Sequence, residues 1–424
     1  MDFFTVTTSA PIEFVTLDFD QKSAIWLIVF GIILAYWLAV GMGANDVSNA
    51  FDASWGNEIV SVTAIFGAIF VGFASTNTVR RNIVDLKQFE TDPYELMLGQ
   101  IAILVGSASW ILTATYMKLP VSPSESLLGA IVGFAIVRRG IMSVHWNLVG
   151  KIVTCWFLTP LASAFLSMLI YVFIDITVLR RDDPFKCAMR FMPFLFFIII
   201  TINMLAILWN SPENLFLHEM PTWVVFVISI GGSLVIAIII YLFVEPCIRR
   251  RIPVDETLST ISTISSGDSK FSDKESIQIR LKKYFSMIIS SPSRTLNFSV
   301  PIYVMLFGAV GRCAGLWSFG DHVHLTVREK LYSVNTVVAV AIELGSGIIT
   351  LYASKIGLPV SNTHNTLGSA VGIGMLIHKL KIKWKIVRNI SIFMFITMPC
   401  TGLISSGVMM LLYFIADNYH HFLN

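Results

Sequence analysis

The sequence predicts an all-α polytopic membrane protein of about ten transmembrane helices, with re-entrant hairpins and an internal repeat. Three observations carry that expectation. Hydrophobic residues make up 55% of the 424 positions and charged residues 13%, against roughly a quarter charged in a soluble domain. The apolar residues gather in unalternating runs of spanning length, about 20 residues for a hydrocarbon core of about 30 Å. A hydrophobic phrase broken by Pro and Gly also occurs twice, as KLPVSPSESLLGAIVG at 118–133 and GLPVSNTHNTLGSAVG at 357–372.

The runs cover residues 25–40, 59–79, 96–116, 121–137, 152–179, 191–209, 223–244, 300–319, 334–353, 360–377 and 390–416. Backbone groups in lipid need partners within the fold, so the spanning elements are helices or a closed barrel, and the lack of alternation removes the barrel. The first run follows Glu13, Asp18 and Asp20 and has no evident cleavage site after it, so it reads as a membrane helix and not a signal peptide. From Pro253 to Lys283 the composition turns to Ser, Thr, Asp and Lys, too polar for a core or a bilayer. This divides the chain into an N-terminal membrane block (1–248), a hydrophilic loop (249–296) and a C-terminal membrane block (297–424).

Lys and Arg gather in that loop, from Arg249 to Arg294, and again from Lys379 to Arg388, which places both on the cytoplasmic side. The loop 210–222 and the tail after Ala416 contain neither residue, so they are placed outside together with both termini. One pair of loops conflicts. Arg138/Arg139 and Arg180/Arg181 flank the single run 152–179, and both fit inside only with a re-entrant hairpin nearby or a break at Pro160. The five cysteines show no CxxC pair and no metal-ligand spacing, and read as packing residues.

The repeat locates the candidate site. Short hydrophobic segments interrupted by Pro and Gly in both halves point to a secondary transporter, because proline stops one half-helix and a second starts beyond it with its N–H groups free. Such ends attract anions, and Ser122 and Ser124 in one hairpin, with Ser361, Asn362 and Thr363 in the other, add donors without charge. The segment Gly41 to Ala50 places Asn45, Asp46, Ser48 and Asn49 at the end of an apolar helix. An Asp within a membrane helix costs roughly 2.5–3.5 kcal/mol to insert, so Asp46 is expected to face a cavity or a cation. Asn45, Asp46 and Asn49 form a candidate sodium site of oxygen ligands, with Glu343 as a further member. The alternative is an interfacial helix cap at Asp46. His364 reads as a residue bonded to nearby backbone, with proton relay or ligation as the alternative.

At GANDVSNAF (43–51), LPVSPSES (119–126) and LPVSNTHNTLGS (358–369) the sequence resembles the inorganic phosphate transporter (PiT) family of sodium–phosphate symporters. The resemblance implies two inverted repeats, phosphate held between the hairpin tips and the GANDV segments, and sodium bound alongside as a co-substrate, with no cofactor and no enzymatic step. Carried over by position, Asn45 and Asp46 match the family's Asn-Asp motif, Ser122 and Ser124 its first hairpin, and Ser361, Asn362 and Thr363 its second. The implied partners are inorganic phosphate, sodium ions and membrane lipid, with no nucleic acid; a homodimer is left open, and the expected location is the plasma membrane. The chain departs from the family in lacking a second Gly-x-Asn-Asp-Val segment, in lacking a Glu between Glu58 and Asp85, and in carrying Pro123 and Glu125 in the first hairpin. Those departures leave a transport-inactive scaffold or receptor, or a truncated isoform, as the rival reading. A membrane enzyme finds no support, because no HExxH-like spacing is present.

Overall fold

The computed structural model describes residues 21–47, 83–84, 86–89, 92–208, 221–244, 307–319, 336–355, 360–377 and 382–423. They are almost entirely helical: α1 (Gln21–Met42), α2 (Pro93–Tyr116), α3 (Pro123–Arg139), α4 (Trp146–Ile174), α5 (Pro184–Leu208) and α6 (Thr222–Ile239). They continue as α7 (307–319), α8 (Thr336–Lys355), α9 (Asn362–Leu376) and α10 (Trp384–Leu423). Asn49, the run 59–79 and the loop 249–296 lie outside the described residues. Among the described helices six are long and apolar enough to cross a membrane, and these are α1, α2, α4, α5, α6 and α10. Large side chains such as Phe157, Leu161 and Phe165 on α4 and Leu403 and Phe414 on α10 are exposed, as lipid contact requires.

The two repeated phrases fold alike. α2 starts where Asp92 accepts a hydrogen bond from the Glu95 N–H at 3.0 Å and Pro93 presets the first turn. It stops at Tyr116, after which Lys118 takes a left-handed conformation, φ 60°, and Pro120 prevents the helix from resuming. The chain re-enters a helix at Ser122, whose backbone (φ −90°, ψ 121°) matches that of Ser361 at the start of α9 (φ −90°, ψ 118°). α3 has 17 residues and α9 has 15, each shorter than the roughly 20 residues of a full crossing.

The first hairpin is closed at its far end by charge. Glu95, buried near the start of α2, binds Arg138 Nε and Arg139 at 2.6 Å each at the end of α3, so the two helices run antiparallel. Arg138 also lies 3.6 Å over the ring of Tyr413. Arg138 and Arg139 thus share the single Glu95 carboxylate, which balances one of their two charges inside the fold. The break at Pro160 does not occur, since α4 continues through it.

Packing is crosswise. α10, from the C-terminal block, lies along α3 and α2, while α4, from the N-terminal block, lies along α9 and α8. Glycine makes both contacts possible. A Cβ at Gly133 would overlap the Gly402 carbonyl oxygen, and one at Gly368 would overlap that of Pro160. Hydroxyls add polar contacts: Ser406 donates to the Gly133 carbonyl at 2.8 Å, and Ser163 to that of Asn365 at 3.0 Å. Each hairpin is therefore held by the long, proline-containing helix of the opposite block.

Candidate functional site

The site is built where α1 ends. The helix opens into a wider turn at Gly43–Val47, which aims the consecutive side chains of Asn45 and Asp46 at different hairpins. Asn45, fully buried, accepts a hydrogen bond from the Val121 N–H at 2.9 Å. Its amide donates to the Leu119 carbonyl at 3.0 Å and to the Thr115 hydroxyl at 3.2 Å. It thus satisfies the backbone that Pro120 interrupts. Asp46 accepts a hydrogen bond from the Thr363 hydroxyl at 3.2 Å at the start of the second hairpin.

The tips themselves carry hydroxyl and amide groups. Ser122 and Ser124 lie 2.9 Å apart, oxygen to oxygen. Ser361 caps α9 by accepting from the His364 N–H at 3.3 Å. Asn362 accepts from Thr350 at 3.3 Å, and Thr350 accepts in turn from Asn365 at 2.9 Å. Glu343 is partly buried on α8, about 18 Å along the helix axis from Lys355. Asn45, Asp46, Ser122, Ser124, Ser361, Asn362 and Thr363 are thus brought to one region, with Glu343 further along the hairpin and Asn49 outside the described residues.

The expected backbone bond of His364 is made by its N–H, whereas its ring does something else. His364 Nδ1 lies 2.7 Å from Glu125 Oε1, across from one hairpin tip to the other. The ring stacks on Trp156 with centroids 6.2 Å apart and meets Phe395 edge-on at 6.4 Å. Neither this cross-hairpin partner nor the role of Thr350 follows from sequence, because a pairing between distant segments leaves no local pattern. Arg312 on α7 stands close enough to act electrostatically on Asp46, and its guanidinium donates to Met42 Sδ at 3.7 Å.

This arrangement suits an anion and a cation together. Two half-helix N-termini with four hydroxyls, Ser122, Ser124, Ser361 and Thr363, provide donors for an oxyanion. The Asp46 carboxylate in the same region repels an anion unless a cation lies beside it, a physical reason for the two to be bound jointly.

Residues 42–405 match the model of the phosphate transporter family. The chain belongs to the phosphate transporter family. A provisionally named phosphate permease of Pyrococcus horikoshii is 28% identical over 403 residues, covering 89% of this chain and 96% of that protein. The sodium-dependent phosphate transporter 1-A of Danio rerio is 22% identical, with 93% and 96% covered. Sodium-dependent phosphate transporter 2 of Felis catus reaches 33% identity over 57% of this chain and 40% of its own length. Among solved structures, the sodium-dependent phosphate transporter superposes with a TM-score of 0.75 at 23% identity, covering 92% of this chain and all of that one. The last likeness establishes a common fold for this family member.

Proposed function

We propose that this family member imports inorganic phosphate by symport with sodium, at a site formed where the two hairpin tips meet α1. The observation that carries the reading is the bridging of both tips by adjacent residues, Asn45 to the first and Asp46 to the second. Phosphate is bound by Ser122, Ser124, Ser361, Asn362 and Thr363. Sodium is bound by the oxygen donors of Asp46, Asn45, Asn49 and Glu343. The names of the Danio rerio and Felis catus relatives support sodium as the coupling ion.

Transport follows from alternating access, in which the crosswise units rock around the tips and expose the site to one side at a time. Net inward movement of one positive charge releases about 2.3 kcal/mol per 100 mV, so sodium in excess of the phosphate charge drives accumulation. No covalent step is involved. The location that fits this role is the plasma membrane, with both termini outside and the loop 249–296 cytoplasmic. The absence of a second Gly-x-Asn-Asp-Val segment favours one rival, a transport-inactive scaffold. Uptake of radiolabelled phosphate into liposomes, with and without sodium, separates the two. Sodium-dependent uptake by the wild type, lost in Asp46→Asn, is the expected result; no uptake by correctly inserted protein would leave the scaffold.

A further inference from the structure

Glu125 and His364 occupy the sixth position of their respective phrases, PVSPSE and PVSNTH, so the internal repeat makes them equivalent residues that meet across the join of the two halves. Both side chains are buried, Glu125 at 1% and His364 at 8% exposure, and they approach to 2.7 Å. The approach is an ion-pair contact: none of the two carboxylate oxygens of Glu125 and the two ring nitrogens of His364 makes a well-directed hydrogen bond to a described group. The remaining polar neighbours of the carboxylate are the Ser122 and Ser361 hydroxyls, two of the phosphate-binding groups named above. A carboxylate and an imidazole this close, enclosed by Trp156 and Phe395, form a unit suited to holding a proton.

Among the described residues the salt bridges join Glu125 and His364 only to each other. On α4 the titratable groups are Cys155, near Trp156, Lys151 a turn earlier and Tyr171 toward its far end; on α10 they include Cys400, Lys385 and Arg388 toward its start, and Tyr413 and Asp417 toward its end. On α2, Glu95 is paired with Arg138 and Arg139 at the opposite end of α3. α8 contributes Glu343, and Asp46 beyond α1 is engaged by Thr363. The salt bridges among the described residues give Glu125 one partner, His364.

We propose that Glu125 and His364 form a proton-binding site between the hairpin tips, and that phosphate binding is accompanied by uptake of a proton there. The inference rests on the phosphate-site reading above. At rest the pair holds one proton between carboxylate and imidazole. When the oxyanion arrives at Ser122 and Ser361, a second proton from the aqueous opening that admits phosphate binds the Glu125 carboxylate. The product is a neutral carboxylic acid beside a His364 imidazolium, which removes a like charge from the anion and leaves a positive one.

Calorimetric titration of inorganic phosphate into the full chain in nanodiscs, in buffers of different ionisation heat, reads this directly. The expected result is uptake of about one proton per phosphate, with affinity changing about tenfold per pH unit where the pair titrates. Glu125→Gln is expected to remove that proton, and the exchange Glu125→His with His364→Glu to restore it. Phosphate's own ionisation exchanges protons in both proteins, so the deciding quantity is the difference: an equal number of protons taken up per phosphate by the wild type and Glu125→Gln would overturn the proposal while leaving the phosphate site intact. If phosphate does not bind, the site reading fails, and the pair is then decided by the ¹⁵N imidazole signal of His364. A His364 titration that shifts by at least one pH unit in Glu125→Gln supports the shared proton, and an unchanged titration refutes it.

Discussion

Asn45 and Asp46 are neighbours in sequence with separable tasks. Asn45 spends its amide on backbone that would otherwise lack partners, so Asn45→Ala leaves the Val121 N–H and the Leu119 carbonyl unsatisfied. A buried group in that state costs about 1–3 kcal/mol, and the expected outcome is a markedly lower melting temperature in detergent together with lost uptake. Asp46→Asn should behave differently. The amide oxygen still accepts from Thr363, and removing a charge from the membrane interior is favourable in itself. Its melting temperature is expected to stay at or above the wild-type value while sodium-dependent uptake disappears, which parallel thermal unfolding and uptake measurements would check. The sequence marked both residues because polar groups at the end of an apolar run are conspicuous. It did not distinguish them, because the hairpin backbone that Asn45 completes lies some seventy residues away.

At the scale of elements, the half-helices were legible because proline, serine and glycine interrupt the apolar pattern at matching places in the two phrases. What holds them was not. α4 and α10 read as ordinary apolar runs, and their contact with the opposite hairpin depends on close backbone approach that hydrophobic periodicity does not record. Gly133 and Gly150 test this account. A methyl group at Gly133 meets the Gly402 carbonyl of α10, whereas Gly150 on α4 has open space around it. Replacing glycine by alanine in a helix is worth about 1 kcal/mol in propensity, and overpacking costs about 1–3 kcal/mol. Gly150→Ala is therefore expected to raise the melting temperature slightly and Gly133→Ala to lower it. Equal effects at both positions would show that α10 does not bear on α3 as the packing indicates.

The crosswise arrangement makes the whole molecule less divisible than its sequence suggests. A polar segment between two apolar blocks reads as a boundary between independent units, yet the described helices of each block complete the other: α10 covers α2 and α3, and α4 covers α8 and α9. An N-terminal half alone would expose the glycine face of α3 that α10 covers, and a C-terminal half would expose the face of α9 that α4 covers. Cutting the chain within 253–283 and co-expressing the halves, one carrying an affinity tag, is expected to give a complex that co-purifies and melts as one transition. Each half expressed alone should aggregate or be degraded, because packing in lipid depends on close contact and has no hydrophobic force to replace it. Introducing Gly133→Ala into the N-terminal half should weaken capture of the other, since the altered contact lies between the halves. Halves that fold separately, each with its own cooperative transition, would instead make the blocks true domains and require the rocking motion to run between them, with the hairpins passive.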